Sequence, residues 1–151
     1  VIINVIGGNK SQKRIAKNSV IFSCYSLLSS KLFYNLECNI HICKPSDVLG
    51  SCIWEDTNIR PKEFTIELHK ELHQREFITT ACHESVHLKQ FARGELRELY
   101  KGGHRVMWYD VDCSDFMYKD QPWEIEAKAL EDTLYNMYTD YMLKEDNNCA
   151  L

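Results

Sequence analysis

The chain has 151 residues, 44% of them hydrophobic and 26% charged, with a formal net charge of −4. That length suits one domain with one core, read here as residues 1–151. The acidic balance gives no support to nucleic-acid binding, and no apolar run reaches the length of a membrane span.

Taken in chain order, Val1–Ile6 is a short apolar run closed by Gly7-Gly8, either a strand or a docked terminus. From Ser11 to Asn35, Ile15, Phe22, Tyr25, Leu28 and Leu32 recur at helical spacing, which predicts one helix. Lys13, Arg14 and Lys17 make a basic, solvated face on it. Glu37–Cys43 alternates apolar and polar residues and reads as a strand closed by Lys44-Pro45-Ser46-Asp47. Gly50–Trp54 reads as a second strand. In Glu63–His69, Phe64, Ile66 and Leu68 alternate with Thr65, Glu67 and His69, predicting a third.

Gln74–Arg93 then reads as a helix with a broad apolar stripe that includes Phe77, Ile78, Ala81, Cys82 and Val86, and Gly94 is its C-terminal stop. Gly102-Gly103 breaks the chain, His104–Tyr109 is a short extended piece, and Val111–Gln121 reads as loop with turns. Pro122 opens a last helix to about Lys144, with Trp123, Ala127, Leu130, Leu134, Met137 and Tyr141 on one stripe. The order implies an α+β fold.

The chemistry sits in His83-Glu84-Ser85-Val86-His87, an H-E-x-x-H run inside a predicted helix. Histidines four apart share a helical face, so both imidazoles reach one metal ion. Glu84 beside them is placed to take a proton from water activated by that metal. This is the constellation of a zinc hydrolase, most often a peptidase. Zinc in a hydrolase wants a third protein ligand and one open position. Glu124 and Glu126, in the first turn of the last helix, are candidates, with His104 as a rival. Two residues apart on a helix, the two glutamates cannot both face the metal.

Seven cysteines with no C-x-x-C pair argue against a disulfide framework and point to a reducing cytoplasm. Cys82, next to His83, reads as a small buried helix residue before it reads as a nucleophile. Trp54, Trp108 and Trp123 read as core anchors rather than as a recognition surface.

The stretch Phe64–Leu130 resembles the minimal zincin metallopeptidases, and in particular small phage-encoded metallopeptidases. The residues that carry the likeness are Thr80-Ala-Cys-His-Glu-Ser-Val-His-Leu-Lys-Gln90, the later Pro122-Trp-Glu-Ile-Glu-Ala127, and Cys52-Ile-Trp-Glu-Asp56 with Arg60-Pro61. The resemblance implies a zincin-like domain, with a small, mostly antiparallel sheet of three or four strands packed on the H-E-x-x-H helix. In gluzincin-type relatives, including IrrE/ImmA-like peptidases, the third ligand is a glutamate in E-x-x-A. That implies His83, His87 and Glu124 as ligands of Zn²⁺, and Glu84 as the base. Several such families place an aspartate directly after the alanine to orient a ligand; Lys128 stands there in this chain. Relatives often stabilise the oxyanion with a Tyr or His, which makes Tyr118, ahead of His104 and Tyr109, the expected residue.

The resemblance further implies a protein or peptide substrate lying along an edge strand, taken here as Glu63–His69. It also implies a location in the cytoplasm, that of the host if the chain is phage-encoded. Two other readings compete with the peptidase. One is a SprT-like protease acting on DNA-linked protein; the other is a zincin fold kept as a binding or structural module.

Overall fold

The computed structural model describes residues 1–149. The chain runs β1 (Ile2–Gly7), α1 (Lys10–Leu27), α2 (Ser30–Tyr34), β2 (Glu37–Cys43), β3 (Gly50–Trp54), β4 (Glu63–His69), α3 (Gln74–Ala92), β5 (Leu96–Leu99), β6 (Arg105–Trp108), β7 (Val111–Asp112), a single 3-10 turn (Tyr118–Asp120) and α4 (Pro122–Cys149). This is an α+β domain with one mixed and one antiparallel sheet.

The first sheet has strand order β1-β2-β4-β3. β1 pairs parallel with β2 and β2 parallel with β4, while β3 alone runs antiparallel, against β4. The expectation of a mostly antiparallel sheet is therefore corrected. The α1 crossover carries the chain from β1 back over the sheet and delivers β2 as a parallel neighbour, and β4 lies parallel to β2 because β3 does not insert between them. β3 then lies outside β4 as an edge strand, so Glu63–His69, expected at the edge, is internal. The second sheet, β5-β6-β7, is an antiparallel meander. Its β5 and β7 were not foreseen, because four- and two-residue strands are too short to show a period.

The helix expected over 11–35 is broken. α1 begins with a capping box, in which Asn9 and Gln12 exchange backbone and side-chain bonds of 2.8 and 3.0 Å. It ends at Leu27, and the Ser29 hydroxyl caps the short α2 through the Leu32 amide. Serine competes with a helix by offering the backbone a local partner, which is why Ser29-Ser30 divides the run. At its far end, α4 continues to Cys149, past the end expected near Lys144.

Two apolar clusters hold the layers together. Val20 and Cys24 of α1 meet Ile40, Phe64, Ile66 and Leu68 of the sheet. On the other side of α3, Ile78, Cys82 and Val86 meet Ala127, Leu134 and Tyr138 of α4. α3 is thus enclosed between sheet and helices, and every residue from Glu84 to Ala92 is buried. It ends in a Schellman motif. Gly94, at φ 73°, donates to Phe91 O, and Glu95 N donates to Gln90 O, each at 2.9 Å. The expected stop at Gly94 is where the helix terminates. Among the described residues no helix is long and apolar enough to cross a membrane.

Candidate metal centre

α3 and α4 cross so that the first turn of α4 faces the middle of α3. Ala127, fully buried against Cys82 and Val86, is small enough to let the helices approach. Glu124, one turn earlier, then reaches the two histidines. The ring atoms His83 Nε2 and His87 Nε2 lie 3.1 Å apart. Glu124 Oε2 is 3.3 Å from His83 Nε2, and Glu124 Oε1 is 3.3 Å from His87 Nε2. Among the described residues these three form the one cluster of metal-ligating side chains, with all donor atoms within 4.8 Å of one another.

The far nitrogens of both rings are occupied. His83 Nδ1 is 2.6 Å from Glu131 Oε2, and His87 Nδ1 is 2.9 Å from Gln90 Oε1. A carboxylate and an amide oxygen only accept, so each Nδ1 carries the proton and each Nε2 is left with a lone pair. Two imidazole lone pairs and a carboxylate then converge, an arrangement that repels itself unless a cation stands among them. Bonds of about 2.0–2.2 Å at tetrahedral angles put donor atoms roughly 3.3–3.6 Å apart, close to the spacing here. The donor set and its spacing fit a zinc ion. Without metal, a proton serves in its place. Burial pushes His83 down, but Glu124, Glu84 and Glu131 outweigh it and hold its pKa up at about 9. Glu124 is correspondingly held far below the usual carboxylate range: burial opposes this, and hydrogen bonds from His83 and His87 prevail.

Glu84 lines the same cleft and is 6% exposed. Burial raises its pKa to about 7, against the pull of His87 and His83. A buried carboxylate beside such a cluster is the environment of a proton-transferring group. Tyr118 stands at the mouth, half-exposed, with its hydroxyl donating to Glu124 Oε2 at 3.0 Å. The Lys128 ammonium sits 5.4 Å from the centre of the Tyr118 ring.

The cleft measures about 860 Å³ and includes Gly50, Thr80, Phe91, Leu96 and Trp123 in its lining. Its wall is β3. Leu49 O accepts from His69 N, and Glu55 N donates to Glu63 O. With the register Ser51↔Glu67 and Ile53↔Thr65, residues 49, 51, 53 and 55 bond inward to β4. In an antiparallel ladder the alternate residues then turn their N–H and C=O outward, so Gly50, Cys52 and Trp54 present a free edge, and Gly50 and Cys52 also line the cleft. A Cβ on Gly50 would lie 2.6 Å from Thr80 Cγ2 and 3.1 Å from Glu84 Oε1. Only glycine lets this strand pass so close to α3.

The remaining candidates lie elsewhere. Glu126 turns away from the histidines, with Oε1 2.6 Å from Lys89 Nζ and Oε2 2.8 Å from Gln90 Nε2. His104 is on the exposed β5–β6 hairpin, stacked on Tyr100 and 3.2 Å from Glu98. Tyr109 is exposed and lies outside the cleft. Cys82 has its thiol pKa pushed up to about 11 by burial, so it stays protonated and is no nucleophile. Trp123 is buried, and Trp108 packs 6.5 Å from it, as core anchors do.

Two residues escaped the sequence reading. Glu131, rather than the residue after Ala127, stands behind His83; seven residues after Glu124, two turns on, it lies on the same helical face. Gln90, three residues after His87, likewise shares its face. Helical spacing was the available signal for both. Comparison with protein-family models, curated proteins and solved structures returns no match to this chain.

Proposed function

We propose that this protein is a zinc-dependent metallopeptidase of zincin type, acting on an extended stretch of a protein or peptide. The observation that carries the reading is the convergence of His83 Nε2, His87 Nε2 and the Glu124 carboxylate, with buried Glu84 in the same cleft. His83, His87 and Glu124 would hold the ion. When bound, zinc supplies a Lewis acid that polarises water and the scissile carbonyl.

The chain's own groups do the rest. The Glu84 carboxylate takes a proton from the attacking water as its oxygen adds to the carbonyl carbon. Glu84 then delivers that proton to the departing amine nitrogen as the C–N bond breaks. The Tyr118 hydroxyl, hydrogen-bonded to Glu124 at 3.0 Å, is near enough to turn toward the carbonyl oxygen as it gains charge. Substrate backbone pairs with the outward N–H and C=O groups of Gly50, Cys52 and Trp54, leaving side chains to fill the cleft.

The test is zinc content and cleavage of a mixed peptide library by wild type and Glu84→Gln. Stoichiometric zinc in both, with cleavage in wild type only, supports the peptidase. Zinc in both with no cleavage by wild type overturns it in favour of a binding module.

A further inference from the structure

Gln90 has no exposed surface, yet it carries a polar carboxamide at the centre of the α3–α4 contact. Every face of that amide is engaged. Its Nε2 donates to Trp123 O at 2.9 Å and to Glu126 Oε2 at 2.8 Å, and its Oε1 faces His87 Nδ1 at 2.9 Å. A backbone carbonyl and a carboxylate oxygen are acceptors only, so the NH₂ group must lie on their side. The oxygen is thereby committed to His87, and that forces the Nδ1–H form of the ring.

The orientation is itself secured. Glu126 pairs through its other oxygen with Lys89 Nζ at 2.6 Å, and Lys89 reaches Glu95 Oε2 at 2.8 Å. Arg93 Nε closes the chain on Glu95 Oε1 at 2.9 Å. Lys89 and Glu95 are buried, and Gln90 O takes the Glu95 amide in the Schellman turn. A flipped amide would aim its oxygen at the Trp123 carbonyl and the Glu126 carboxylate, two contacts between acceptors with no proton to share.

Trp123, whose carbonyl Gln90 grips, directly precedes Glu124. We propose that Gln90 is a positioning residue for the metal centre, its one side chain setting the ring form of His87 and anchoring the segment that presents Glu124. This rests on the zinc reading above for its function, but its first half applies to the metal-free protein. It also explains why Glu126 is an acid although it is no ligand: it keeps the Gln90 amide turned the right way.

The test uses the full chain with ¹⁵N-labelled histidine and two variants, Gln90→Met, close in volume, and Glu126→Ala at a half-buried position. Long-range ¹H–¹⁵N spectra of metal-free protein, above the pH at which the rings lose their charge, report which His87 nitrogen carries hydrogen. Zinc affinity is read in parallel by competition with a chromogenic chelator. In wild type the proton is expected on Nδ1. In Gln90→Met that preference is lost and zinc binding weakens roughly 10–100-fold, the usual cost of removing a group behind a ligand. Glu126→Ala gives a smaller loss in the same direction, and it decides the matter if Gln90→Met fails to fold. Unchanged ring form and unchanged zinc affinity in a folded variant overturn the proposal. Wild type that shows the Nδ1–H form but takes up no zinc would sink the zinc reading and leave the Gln90–His87 relation standing.

Discussion

His83 of α3 and Glu131 of α4 stand 2.6 Å apart, Nδ1 to Oε2, on the side of the ring away from Glu124. A carboxylate behind a ligating histidine fixes its orientation and makes its free nitrogen a better donor. Here that carboxylate comes two turns after Glu124, so a single face of α4 provides both a candidate ligand and the group behind another.

Glu131→Gln is expected to weaken zinc binding roughly 10–100-fold while leaving the fold intact, since Glu131 is part-exposed and belongs to no apolar cluster. Chelator competition measures it. Affinity equal to wild type would mean that an accepting oxygen is enough to orient His83 and that the carboxylate charge adds nothing.

Tyr118→Phe removes the hydroxyl that reaches Glu124 without touching the core, because Tyr118 is 58% exposed. The expected result is a fall in kcat of about 100-fold with zinc content unchanged, the scale of losing one oxyanion donor. Steady-state kinetics beside metal analysis separates this from a loss of zinc, which would assign the hydroxyl to holding Glu124.

Gly50→Ala brings a methyl against Thr80 Cγ2, at 2.6 Å, and against Glu67 O, at 3.0 Å. The Thr80 side chain, the strand or α3 must move, costing about 1–3 kcal/mol by the usual penalty of overpacking. Urea denaturation is expected to show that loss, and displacement of Glu84 to reduce any cleavage further. A stability equal to wild type would show that β3 moves freely away from α3.

Stability of the metal-free protein should depend on pH in a defined sense. Burial raises Glu84 from 4.5 to about 7, and carboxylate neighbours, working against burial, raise His83 from 6.5 to about 9. Both hold a proton more tightly when folded, so each stabilises the fold fully below its unfolded pKa and loses that contribution as pH rises through its folded one. Glu124, held low, acts in reverse and loses its contribution as pH falls below 4.5. The melting temperature in chelator should therefore decline between pH 4.5 and 9, and Glu84→Gln should remove the early part of the decline. A flat profile in wild type would contradict this.

Local pattern was enough for much of the molecule. The alternation of Phe64, Ile66 and Leu68, the helix around His83 and His87, the glycine stop at Gly94 and the proline opening α4 all depend on neighbours in sequence. Backbone sterics and the periods of side-chain direction act over a few residues, so one chain suffices to read them. The pairing of His83 with His87 is of this kind, because a helix alone sets it.

What lay beyond reach was whatever depends on how elements meet. Parallel pairing of β1, β2 and β4 follows from the α1 crossover and from β3 lying outside β4, neither of which any strand records in its own residues. The turn of Glu126 to Lys89 and Gln90, the arrival of Glu131 behind His83 and the exposure of β3 as the free edge all depend on the crossing of α3 with α4 and the order of strands. Those contacts join residues tens of positions apart, and packing of buried surfaces, rather than any local preference, selects them.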